Sequence, residues 1–198
     1  SLSGGERIRA GLASLLAACA GALLASFGAP VAGKTLRLQM LVDVEVLDPA
    51  RAGSLSALNA MAPLYHQLLT YDYLARPVRM IPYAAESLPQ VSADGRTYTL
   101  RIRPGLLFAP HPAFGGKPRE LVAQDFVYSV QRIADPASIS MSWANFEGLI
   151  EGLDDLVAAA RREKRGLDYA APIAGLKALD ARTLQIRLTR PDPTFIYA

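Results

Sequence analysis

The sequence predicts an α/β lobe whose sheet is completed by segments far apart in the chain. Near the beginning, Leu36, Leu38 and Met40 alternate with Arg37 and Gln39; near the end, Leu184, Ile186 and Leu188 alternate with Thr183, Gln185 and Arg187. Period-two alternation of this kind marks a strand with one buried face. Between the two, apolar residues recur at helical spacing, interrupted by a hairpin and a proline-rich loop. With 51% hydrophobic and 20% charged residues in 198, the chain can bury a substantial core.

Ahead of the first strand, Arg7 and Arg9 precede a charge-free stretch from Ala10 to Gly33. This is the architecture of an export leader, with small residues at Val31-Ala32-Gly33 offering a peptidase an uncrowded site. Residues 1–33 are read as that leader. The plain alternative is a retained anchor, since 24 uncharged residues meet the roughly 20 of a spanning helix. Leu16-Ala17-Ala18-Cys19 also resembles a lipobox, in which Cys19 would carry a lipid, although Leu23, Leu24 and Phe27 keep the stretch apolar beyond it. Cys19 is the single cysteine, so residues 34–198 can form no internal disulfide. Leu2 to Glu6 match the signature of ABC ATPases by chance, because no G-x-x-x-x-G-K-[ST] loop accompanies them.

The first strand ends near Asp48-Pro49. A helix is expected over Ser54 to Leu69, with Leu55, Leu58, Met61, Ala62, Tyr65 and Leu69 on one side and Ser54 or Ser56 as cap. Tyr71 to Pro82 reads as a hairpin. After the turn Ser92-Ala93-Asp94-Gly95, alternation of Tyr98, Leu100 and Ile102 gives a second strand, and four prolines and three glycines make residues 104–118 a loop.

Val122, Phe126, Val130 and Ile133 fall on one face of a helix that Asp135-Pro136 stops. Leu149, Leu153, Leu156, Val157 and Ala160 make another. Its basic tail, Arg161 to Arg165, complements the helix dipole, and Gly166 suits the position just past its end. The turn Asp180-Ala181-Arg182 introduces the last strand.

Charge and side-chain chemistry narrow the function. A formal charge of +3, spread along the chain, is too little for nucleic-acid binding. His66 and His111 lie 45 residues apart without a metal-site spacing. There is no G-x-S-x-G elbow and no G-x-G-x-x-G loop, and Asp154 and Asp155, adjacent on a helix, diverge. No catalytic residue, metal or cofactor is assigned. Binding is the function class that these residues leave.

A set of short motifs then carries a resemblance. Leu47-Asp48-Pro49 is followed by Leu64-Tyr65-His66-Gln67-Leu68-Leu69, Ala85-Glu86-Ser87, Asp94-Gly95-Arg96-Thr97-Tyr98-Thr99-Leu100-Arg101, Val122 to Ser129, and Lys177-Ala178-Leu179-Asp180. In this order and spacing, residues 35–198 resemble family 5 extracellular solute-binding proteins, the oligopeptide and dipeptide receptors of bacterial ABC importers. Three departures stand out: Val122 replaces a capping Thr, His66 stands where Glu is common, and the loop from Phe108 to Gly116 is enlarged.

The resemblance implies a type II, periplasmic-binding-protein-like clamp of two lobes, of which this sequence holds the N-terminal lobe and an inserted α+β subdomain. The boundaries it implies are 34–66 for the first part of lobe I, 67–173 for the insertion, and 174–198 for the return. It implies a periplasmic, monomeric receptor that captures peptides and delivers them to an ABC permease in the inner membrane. The same fold adapted to nickel chelates, haem, opines or sugars is the alternative; an envelope enzyme or structural adaptor is the alternative of another class.

The resemblance also places ligand contacts on Ala52, Gly53, Ser54 and Leu55, against the reading of an ordinary strand-to-helix loop. It places a flat apolar wall at Trp143, or with a shift of one at Ser142, against the reading that Trp143 packs in the core.

Overall fold

A computed structural model of the chain describes residues 43–197. The predicted leader, Cys19 and the strand predicted at Leu36 to Met40 lie outside these residues. The described chain carries helices α1 (Leu55–Met61), α2 (Ala123–Ala134) and α3 (Leu153–Arg162). Its strands are β1 (Leu69–Tyr71), β2 (Met80–Pro82), β3 (Gln90–Val91), β4 (Thr97–Arg101), β5 (Leu176–Ala178) and β6 (Thr183–Arg187).

β1 and β2 form a separate hairpin, in register from Leu69 opposite Pro82 to Tyr71 opposite Met80. The other four strands make one antiparallel sheet in the order β3-β4-β6-β5. β4 and β6 pair along their whole length, Thr97 opposite Arg187 and Arg101 opposite Thr183. The sheet is thus completed by segments more than 80 residues apart. The segment 174–198 contributes β5 and β6, and β6 shares its ladder with β4.

One face of this sheet builds the core. Tyr98, Leu100 and Ile102 from β4 and its extension meet Leu176, Leu184, Ile186 and Leu188, beneath Val127 of α2 and Leu153, Val157 and Ala160 of α3. Ile102, Ile150, Leu153, Leu184 and Leu188 lose all or nearly all contact with solvent. Burial of each such side chain contributes about 1.5–3 kcal/mol. The turn before β4 puts Gly95 at φ +68, a conformation that glycine adopts without the cost of a side chain.

The helices depart from expectation in instructive ways. α1 stops at Met61, not Leu69, because Pro63 has no N–H to continue the ladder. α2 turns Ala123, Val127, Gln131 and Ala134 to the interior, one residue round from the predicted stripe. Phe126, Val130 and Ile133 are half-buried beside it, and the two alanines let the helix approach closely. α3 begins at Leu153, after Gly152 at φ +79, so Leu149 precedes it. The left-handed residue that ends α3 is Lys164 at φ +50, not Gly166. Arg165 N–H then reaches back to the Ala160 carbonyl at 3.1 Å.

Val122 starts α2 without a capping hydroxyl, as expected. The Asp125 carboxylate supplies the other half of the cap by accepting the Val122 N–H at 2.9 Å, while Ala123 N–H donates to the Ala181 carbonyl. Asp125 also pairs with Arg119, whose guanidinium lies 4.3 Å from the centre of the Phe108 ring. The enlarged loop is therefore pinned to the start of α2.

Candidate functional site

The segment from Asp48 to Leu55 is built as a rigid loop. Its first anchor is the Asp48 carbonyl, which accepts N–H groups from both Arg51 and Ala52 at 2.9 Å. The second is the Asp48 carboxylate, which accepts the Ala50 N–H at 3.2 Å and two bonds from Arg132 of α2. These Arg132 hydrogen bonds hold Asp48 below its ordinary carboxylate range, against the opposing effect of its partial burial. Ala52 is buried with Ala57 and Met61 in a small cluster of its own.

Glu45 provides the third anchor. Its carboxylate accepts the Gly53 and Ser54 N–H groups at 3.2 and 3.0 Å and the Ser54 hydroxyl at 2.6 Å. The Ser54 bond first, then backbone N–H groups, lower the Glu45 pKa to about 2. The same Ser54 Oγ accepts the Ala57 N–H at 3.0 Å and so caps α1. Of the four residues in this predicted contact segment, Ala52 is buried, Ser54 half-buried, and Gly53 and Leu55 exposed. The N–H groups of Gly53 and Ser54 are engaged by Glu45, a contact for which the sequence carries no local signal.

Met141, next to the second predicted pair, lies against the first segment. A Cβ placed on Gly53 would stand 2.6 Å from Met141 Sδ, so residues 53 and 141 are in direct apposition. Met141 opens the 3-10 stretch Met141–Asn145, which contains Ser142 and Trp143. Ser142 is half-buried. The Trp143 ring is packed in the main core, 9% exposed, beneath this surface. Its Nε1–H and the Ser140 hydroxyl are buried and have no hydrogen-bond partner among the described residues.

Exposed apolar side chains occur in and beside both segments. Leu55, Ile139 and Met141 are 72%, 84% and 73% exposed. Ile139 adopts φ +51, a left-handed conformation that a β-branched residue rarely takes.

The remaining polar candidates have structural partners. His66 stacks on Tyr83, ring centres 5.3 Å apart. His111 Nδ1 accepts the Ala113 N–H at 3.2 Å, closing the turn Pro112–Phe114. Asp154 accepts the Gly148 N–H. Among the described residues, no three or more His, Cys, Asp or Glu side chains come together as a metal site. No described helix is long and apolar enough to cross a membrane. A cavity of about 580 Å³ lies in the enlarged loop, walled by Phe108, His111 and Phe114 among others; it includes neither predicted contact segment.

The model of the bacterial extracellular solute-binding proteins, family 5 Middle, matches residues 79–198. The chain belongs to this family. Against the periplasmic oligopeptide-binding protein OppA of Salmonella typhimurium, it is 31% identical over 193 residues, covering 95% of this chain and 32% of that protein. Against the di/tripeptide-binding protein 2 of Pseudomonas aeruginosa it is 41% identical over 120 residues, covering 58% of this chain and 22% of that protein. The solved murein tripeptide binding protein MppA of Escherichia coli superposes with a TM-score of 0.57 at 27% identity, over 76% of this chain and 26% of that one. The pheromone receptor PrgZ superposes with a TM-score of 0.59 at 27% identity, over 77% and 26%. This family 5 chain thus spans about a third or less of the length of these relatives, and its mixed α/β architecture is part of their type II fold.

Proposed function

We propose that this chain is the N-terminal part of the substrate-binding component of an ABC importer, which captures peptides in the periplasm and delivers them to the membrane permease. The observation that carries the proposal is its likeness, in sequence and in architecture, to proteins named for the oligopeptides, dipeptides or tripeptides they bind. The apposition of Gly53 to Met141 supports it, since a held loop beside an exposed apolar side chain suits a peptide ligand. Ala52, Gly53, Ser54, Leu55, Ser142 and Trp143 remain the proposed contact region, with Trp143 as its buried support. In this scheme residues 1–33 export the protein, which acts as a monomer; lipid attachment through Cys19 is the lesser route to the same compartment. No catalytic step is required of any residue.

A thermal-shift screen of the complete mature protein against di- to pentapeptides tests this. A peptide present at a hundred times its Kd stabilises a receptor by about 2.7 kcal/mol, a shift that melting resolves. Absence of a shift with every peptide would sink the peptide assignment.

A further inference from the structure

We infer that Met141 is a specificity-determining residue: its thioether fills the space left by the absent side chain at Gly53 and sets how large a solute side chain fits beside residues 52–55. The inference rests on the reading of this chain as part of a peptide receptor.

Gly53 is not required by backbone geometry, because its φ lies outside the left-handed region that favours glycine. The space is taken by Met141 instead: a Cβ at position 53 would lie 2.6 Å from Sδ and 3.6 Å from Cγ. The space beside the loop is therefore filled from another segment of the chain. It is filled by the most adaptable apolar side chain, unbranched and polarisable. Met141 is 73% exposed, so the core does not clamp it.

The backbones on either side are held. Glu45 and the Asp48–Arg132 pair fix residues 48–55. Buried Trp143 anchors the turn that carries Met141, with its backbone N–H donating to the Ser140 carbonyl and its own carbonyl accepting from the Phe146 N–H. Freedom to adjust is thus concentrated in one side chain. A solute side chain approaching Gly53 must displace the thioether or stack on it, and shortening residue 141 opens that room without moving either backbone.

The test is calorimetric titration of the complete mature protein with trialanine and the three tripeptides in which one alanine is replaced by phenylalanine. Met141→Ala is expected to raise affinity for one of the phenylalanine peptides about tenfold relative to trialanine, the discrimination a few buried methylenes supply, and to leave the other two ratios unchanged. Gly53→Ala, which pushes the thioether outward, should lower that same ratio, and the double variant should restore it. Met141→Leu, branched and stiffer but still apolar, is a second probe of the same ratio and keeps the comparison possible should the alanine variant fold poorly. Equal ratios in all variants, or a uniform change across the four peptides, would overturn the role of Met141 while leaving peptide capture intact. Failure of the wild-type protein to bind any of the four, together with no shift in the wider peptide screen, would overturn both.

Discussion

Arg132, near the end of α2, donates to both carboxylate oxygens of Asp48, at 3.0 and 2.7 Å, across 84 positions of sequence. This pair ties the proposed contact loop to the sheet-backed helix, so the position of residues 50–55 depends on α2. Asp48→Asn should cost about 1 kcal/mol, the scale of a partly exposed ion pair of good geometry, and should weaken solute binding through loss of loop order.

The same pair sets a pH dependence. Asp48 is lowered in the folded state by its Arg132 bonds. Its contribution is therefore complete above the unfolded value of about 3.9 and is lost as pH falls through the lower folded value. Urea unfolding of the complete protein at a series of pH values should show a shallower acid decline for Asp48→Asn than for wild type. Parallel declines would show that Asp48 carries no such linkage.

Ser54→Ala removes two things at once, the cap on Ala57 N–H and the strongest hold on Glu45. Loss of the cap should cost about 1 kcal/mol. Because the Ser54 bond is the main reason that Glu45 sits at about 2, its pKa should rise in the variant. Solute affinity, unaffected by this group in wild type until pH falls towards 2, should then decline at higher pH. Binding measured between pH 3 and 6 in both proteins checks this.

Asp135 gathers three donors: the Ala137 N–H at 2.9 Å, the Leu167 N–H at 3.0 Å and the Tyr169 hydroxyl at 2.8 Å. Burial pushes its carboxyl up, and these bonds together outweigh it, so the net direction is down. Asp135→Ala strands the buried Leu167 N–H and should cost about 2–3 kcal/mol. Tyr169→Phe removes one donor only and should cost about 1 kcal/mol. The ranking of the two denaturation midpoints is the measurement.

Gly175→Ala is expected to be among the most damaging single methyl additions. The new Cβ would press on the Arg187 carbonyl and lie 2.7 and 2.8 Å from Glu151 N and O, all backbone atoms that cannot yield as a side chain can. The same glycine donates to Glu151 O and accepts from Arg187 N, each at 2.7 Å. A loss of about 3 kcal/mol or a failure to fold is expected; a melting temperature within a degree of wild type would contradict it.

Much of this fold is legible because burial in regular structure repeats locally. The alternation of Tyr98, Leu100 and Ile102 and of Leu184, Ile186 and Leu188 specifies two strands with one dry face. The spacing of Leu153, Val157 and Ala160 specifies a helix stripe in the same way. The motifs from Leu47 to Asp180 likewise carried the family, since short runs in fixed order survive without knowledge of contacts. At Pro63 a local rule overrides periodicity: the apolar spacing runs on to Leu69, but the helix ends at Met61.

The sequence by itself therefore determined the elements, the class of fold and the family, because each rests on neighbours within a turn or a strand. Tertiary structure alone decided that α2 presents Ala123 and Val127 to the sheet, that Glu45 engages the Gly53 and Ser54 N–H groups, and that Met141 stands over Gly53. It alone joined β4 to β6. These are pairings between residues 8 to 90 positions apart, and no periodicity in a chain encodes which of its distant side chains will share one space.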